Sequence, residues 1–79
     1  MKIYDYNGQK NICGSRVKEA RKKLGLSQEE LAARLQVQGI NIERDSISRI
    51  EIGTRFVADY ELLILSRELR VSVDYLLGV

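Results

Sequence analysis

The chain's densest group of side chains able to recognise a ligand is RDSISRI, residues 44 to 50. Arg44, Asp45, Ser46, Ser48 and Arg49 carry polar or charged ends, while Ile47 and Ile50 share one side at helical spacing. A helix here buries the two isoleucines and turns the five polar residues outward. That pattern suits nucleic-acid recognition. Arg reaches phosphate or the acceptor edge of guanine, and short hydroxyls permit close approach. Asp45 could accept from a cytosine amino group. Its ordinary role, ranked first, is charge balance at a helix N-terminus. Gly53, Thr54 and Arg55 form the turn that follows.

Catalytic chemistry finds little support. The chain has no His, one Cys and no glycine-rich phosphate loop. Asp59, Glu61 and Asp74 read as helix caps and solvated acids, and Cys13 as a small core residue. A zinc site lacks its usual ligands, and no disulfide can form within the chain. Neither a cofactor nor a small-molecule ligand is expected. Nor are the tyrosines interleaved with a basic sheet face, as single-strand binding would favour.

The elements around RDSISRI read as helices. Asn11 can cap a first helix running to about Leu24, with Ile12, Cys13, Val17, Ala20 and Leu24 on its apolar side. Lys22 and Lys23 suit its C-terminal dipole, and Gly25 suits a left-handed stop. Ser27 and Glu30 have capping-box spacing at the start of a second helix. Its buried stripe is Leu31, Ala32 and Leu35, and Gln28 lies on its exposed first turn. Residues 36 to 43, QVQGINIE, form a long connection. Val37, Ile40 and Ile42 make it too apolar for open solvent, so at least one should return to the core. A fourth helix is expected from about Val57 to Leu69, buried through Leu62, Leu65 and Leu69. Val71 plugs the core before Ser72 caps a last short helix holding Leu76 and Leu77. Residues 1 to 10 read as an arm: Ile3, Tyr4 and Tyr6 favour extended structure, and Asn7-Gly8 marks a turn.

At 79 residues the chain is one domain, able to bury roughly 60% of its unfolded surface. Its net charge of +2 does not by itself announce a nucleic-acid binder. The distribution is more telling. Lys18, Arg21, Lys22 and Lys23 crowd one helix end, and Arg44, Arg49 and Arg55 form a second series. The absence of a long apolar run or a signal-peptide core points to a cytoplasmic protein without membrane association.

Four segments in order carry a family likeness: the Ala20-Arg21 pair, LSQEELAARL at 26 to 35, SISRIE followed by Ile52-Gly53, and the ending VSVDYLLG. Over roughly Asn11 to Gly78 the sequence resembles the phage-repressor and Cro-like helix-turn-helix family, the XRE-type regulators. The resemblance implies an all-α, compact five-helix lambda-repressor-like DNA-binding domain, here residues 11 to 79, behind a short N-terminal arm. Its third helix would enter the major groove of double-stranded DNA. Carried over by position, Arg44, Asp45, Ser46 and Ser48 would face base edges, with Arg49 nearer the groove wall. Gln28, Thr54 and Arg55 would meet the backbone, and Arg21 with Glu51 would form an internal salt bridge. The chain departs from the family in two places. Its turn between Leu35 and Ile47 is several residues longer than usual, and Glu43 and Asp45 stand where hydroxyls or amides are commoner.

The function expected on this resemblance is a sequence-specific transcriptional regulator, a repressor, acting as a homodimer on a palindromic operator. Leu63, Ile64, Tyr75, Leu77 and the arm are candidates for the dimer contact. The alternative is a non-enzymatic helical protein-interaction module, favoured by the acidic pair at residues 43 and 45, the modest net charge and the surplus apolar residues Ile40, Leu63 and Ile64.

Overall fold

The computed structural model describes residues 5–79. They form five helices: α1 (Gly14–Lys23), α2 (Gln28–Val37), α3 (Arg44–Glu51), α4 (Asp59–Leu69) and α5 (Val73–Leu77). Ile3 and Tyr4 lie outside the described residues. The fold is the all-α five-helix arrangement expected of a lambda-repressor-like domain, with α2 and α3 as the helix-turn-helix pair.

Local chemistry sets the helix limits. Ser27 and Glu30 make both bonds of the capping box: the Glu30 amide donates to Ser27 Oγ at 3.0 Å, and the Ser27 amide donates to Glu30 Oε1 at 2.8 Å. Ser72 Oγ accepts from the Tyr75 amide and starts α5. Ala58 has no side-chain oxygen, so α4 uses only the returning half of the motif, Glu61 Oε1 accepting from the Ala58 amide at 2.9 Å. This start falls at Asp59, two residues later than expected from the apolar pattern. Each helix closes on a left-handed residue whose amide and successor's amide bond back into the last turn. Four of these residues are glycines; the fifth is Arg70, at φ 59°.

The core is the convergence of five apolar stripes. Val17 and Ala20 of α1, Leu31, Ala32 and Leu35 of α2, Ile47 and Ile50 of α3, Leu65 and Leu69 of α4 and Leu76 of α5 are all buried. Each fully buried Leu, Ile or Val contributes about 1.5–3 kcal/mol over its exposed state. Leu62, Val71 and Tyr75 pack at the edge. The α2–α3 connection returns through Ile42, which is buried, and Gln36 Nε2 donates to the Ile42 carbonyl at 2.7 Å. Val37 instead points to solvent, 84% exposed.

Two expected members of the α1 stripe lie outside the core. Ile12 is 44% exposed because the helix begins only at Gly14, so helical spacing does not reach it. Leu24 sits in the closing turn and is also exposed, and Leu26, beyond Gly25, is buried in its place. That exchange follows from the closing motif, which folds the residue after the left-handed glycine back against the last turn.

Candidate nucleic-acid interface

The position of α3 is set from beneath by one carboxylate. Glu51, its last residue, accepts from Arg21 Nε at 2.6 Å through Oε2 and from Arg21 Nη2 at 3.1 Å through Oε1. Gln28 Nε2 donates to the same Oε1 at 3.0 Å. The third Arg21 nitrogen, Nη1, donates to the Leu26 carbonyl at 2.7 Å. Both charged side chains are almost fully buried, at 9% and 2% exposure. The bond to Glu51 raises the Arg21 pKa further above its ordinary value. One buried carboxylate therefore links α1, α2 and α3. Gln28, on the first turn of α2, spends its amide nitrogen on this link; it remains half-buried at the edge of the face.

A second joint lies at the same end of α3. Asn11 Nδ2 donates to the carbonyls of Ile50 at 3.1 Å and Arg55 at 2.8 Å, while Oδ1 accepts from the Gly14 amide at 2.8 Å. Asn11 thus caps the start of α1 and holds both ends of the turn after α3. Gly14 lets α1 approach the α3 backbone: a Cβ there would overlap the Ile50 carbonyl oxygen and stand 3.0 Å from that of Glu51. Neither Gly14 nor the bridging role of Asn11 emerged from sequence reasoning. A glycine within the first turn of an expected helix is the one signal that could have revealed the first.

With Ile47, Ile50 and Glu51 buried, the opposite side of α3 carries Asp45, Arg49 and Ile52 in one row at spacings of four and three. Arg44 and Ser48 flank that row on one side and Ser46 on the other. Arg44, Asp45 and Arg49 are exposed, and the two serines are half-buried. Arg44 Nη2 donates to Asp45 Oδ1 at 2.9 Å, both ends open to solvent. Such a pair holds by no more than about 1 kcal/mol, so Arg44 can be redirected by a competing acceptor. Glu43 occupies the N-cap of α3 without a side-chain capping bond. Ile52, 65% exposed at the end of the row, was noticed in the sequence only as part of the family pattern. It offers an apolar contact of the kind that recognises a thymine methyl.

Past α3 the two backbone candidates differ. Thr54 is exposed; its amide and hydroxyl both donate to the Arg49 carbonyl, at 2.9 and 3.4 Å. Arg55 faces inward, donating to both Glu61 oxygens at 3.0 Å and to the Phe56 carbonyl at 2.9 Å. Burial alone would raise the Glu61 carboxyl, but the Arg55 bonds and the Ala58 amide outweigh it and set its pKa below the ordinary value. Glu61 is therefore the helix cap that the sequence suggested, but buried and paired with Arg55 where a solvated acid was expected. No group of three or more His, Cys, Asp or Glu among the described residues is placed to hold a metal ion. No described helix is long and apolar enough to cross a membrane.

Known proteins share this architecture. The helix-turn-helix family model matches residues 17–76. The HTH-type transcriptional regulator ImmR of Bacillus subtilis (strain 168) is 43% identical over 65 residues, which cover 82% of this chain and 47% of ImmR. The chain thus spans about half the length of that curated relative. Among solved structures, the P22 c2 repressor in complex with synthetic operator 9T superposes with a TM-score of 0.72 at 31% identity, covering 85% of this chain and 94% of that one. SinR, the master regulator for biofilm formation, in complex with DNA, gives 0.71 at 32% identity, with coverage of 82% and 97%. The restriction-modification controller protein C.AhdI from Aeromonas hydrophila gives 0.70 at 31%, with coverage of 81% and 89%. Matched by the family model over most of its length and built on the same five helices, the chain belongs to the helix-turn-helix family, in its phage-repressor and Cro-like (XRE) branch.

Proposed function

We propose that the protein binds double-stranded DNA sequence-specifically as a homodimer and acts as a transcriptional repressor. The observation that carries this reading is the polar outer row of α3, supported from below by the Arg21–Glu51–Gln28 link. A helix held this firmly can present Arg44, Asp45, Ser46, Ser48 and Arg49 to base edges without reordering its backbone on binding. Gln28 and Thr54 border the row where the sugar-phosphate backbone would run. Arg55 acts mainly by shaping the turn through Glu61. Two similar proteins, the P22 c2 repressor in complex with an operator and SinR in complex with DNA, support this reading.

Two-fold symmetry would match a palindromic operator with half-sites about 34 Å apart or a multiple of that. Leu63 and Tyr60 are exposed on α4, and Ile64, Tyr75 and Leu77 are half-buried. These apolar residues are the candidates for the self-association contact. Sedimentation with and without duplex measures it.

The test of DNA reading is Arg44→Ala. A good bidentate contact with guanine contributes about 1–3 kcal/mol of discrimination, so the variant should lose affinity and relax preference at one base pair. Chemical-shift perturbations on adding duplex should centre on residues 44–55. Perturbation elsewhere, or none at low salt, would favour the protein-interaction reading, for which exposed Phe56, Tyr60 and Leu63 are the supporting feature.

A further inference from the structure

We infer that Lys10, carried on the turn that precedes α1, is a further phosphate contact of the DNA face. This rests on the DNA-binding reading above and extends it to a segment that reading does not use.

The turn is built and docked by backbone bonds. Asn7 and Gly8 both take left-handed conformations, φ 51° and 80°, and Tyr6 and Gln9 exchange amide–carbonyl bonds across them at 2.6 and 2.9 Å. This is the geometry of a tight hairpin turn. The Lys10 amide then donates to the Gly53 carbonyl at 2.8 Å. The Gln9 side chain lies against Gly53, 3.4 Å from where a Cβ would stand. Asn11 completes the attachment through the Ile50 and Arg55 carbonyls. Lys10 is therefore tied by its main chain to the residue that closes α3 and precedes Thr54.

Charge at this rim gives Lys10 its role. Arg55, the cation expected there, is charge-paired with Glu61 through two bonds and also donates to the Phe56 carbonyl. Arg49 and Lys10 are both exposed, and neither forms an ion pair among the described residues. A sugar-phosphate strand passing Thr54 would come within reach of the exposed Lys10, whose backbone is bound to Gly53, while the guanidinium of Arg55 is already held by Glu61. A lysine acts on phosphate as a point charge and carries no base information. Its contribution should therefore be independent of sequence.

The test uses the full chain and two fluorescein-labelled duplexes, one of arbitrary sequence and one enriched from a random pool, titrated across a range of salt. Each phosphate neutralised contributes about 0.9 to the slope of log affinity against log salt. Lys10→Ala should lower that slope by about 0.9 on both duplexes, weakening them by the same factor, and Lys10→Arg should restore it. Lys23→Ala removes the same formal charge at the other end of α1, roughly 15 Å away along a ten-residue helix, and should leave the slope unchanged. An unchanged slope in Lys10→Ala would overturn the inference while leaving the DNA reading intact. So would an equal fall in Lys23→Ala, which would mark a general charge effect. A wild-type chain with no salt-dependent duplex binding would overturn both.

Discussion

Replacing Gly14 by Ala sets two known effects against each other. Inside a helix, Ala is favoured over Gly by about 0.5–1 kcal/mol, so propensity alone predicts a more stable protein. Packing predicts the reverse. The added Cβ overlaps the Ile50 carbonyl oxygen, and these atoms belong to the α3 backbone, which cannot rotate away as a side chain would. The Ile50 carbonyl also accepts from Asn11 Nδ2 at 3.1 Å and from the Gly53 amide at 3.1 Å. Moving α1 back strains the first bond, worth about 1 kcal/mol, in addition to an overpacking cost of about 1–3 kcal/mol. The net expectation is a loss of about 1–3 kcal/mol after the helix gain. For a chain of this size, total stability is about 4–12 kcal/mol. Urea unfolding followed by circular dichroism at 25 °C measures the change, and the midpoint should fall by about 1–3 M at a slope near 1 kcal/mol/M. Because α3 shifts with α1, duplex affinity should fall even where the variant remains folded. An unchanged or raised midpoint would refute the close-approach argument.

Glu51→Ala should cost about 3–5 kcal/mol, because it leaves the Arg21 guanidinium buried with only the Leu26 carbonyl and deprives Gln28 of its acceptor. The double substitution Arg21→Met with Glu51→Leu should cost much less, and chemical denaturation of both variants checks the difference. Arg70→Gly should stabilise by up to about 1 kcal/mol, since Arg70 closes α4 at φ 59° where the other helices use glycine; thermal unfolding reads this directly. Stability should also fall in acid. Glu61 has its folded pKa depressed below 4.5, so its contribution is present above the unfolded value and is lost as pH drops through the folded one. Unfolding midpoints taken downward from about pH 5 should decline, and Glu61→Gln should flatten part of that decline.

Much of the fold could be read in the sequence because its signals are local. Ser27 with Glu30, Gly25 and the Ile47–Ile50 spacing each act within one turn of helix, and the structure realises each of them. The outer row of α3 was legible for the same reason: burying two isoleucines leaves only one way for Asp45 and Arg49 to face. What was not legible depends on contacts distant in sequence. Asn11 reaches carbonyls 39 and 44 residues away, and nothing in its neighbourhood announces them. Gly14 is constrained by a helix more than thirty residues later in the chain. Arg55 and Glu61 are only six apart, yet Glu61 holds the cation that the family resemblance would set against the DNA backbone. The sequence carries the charge but not its partner. The connection from 36 to 43 was ambiguous because any of three apolar residues could return to the core: Ile42 is buried in it, with the Gln36 bond to its carbonyl, Ile40 packs half-buried against it, and Val37 faces solvent.

The central claim is that the exposed row of α3 reads base sequence. Selection of bound duplexes from a randomised pool, followed by sequencing, tests it most directly. One palindromic motif should be enriched, with preference at a single position in each half lost for Arg44→Ala. A wild-type pool that stays random after repeated selection would contradict it.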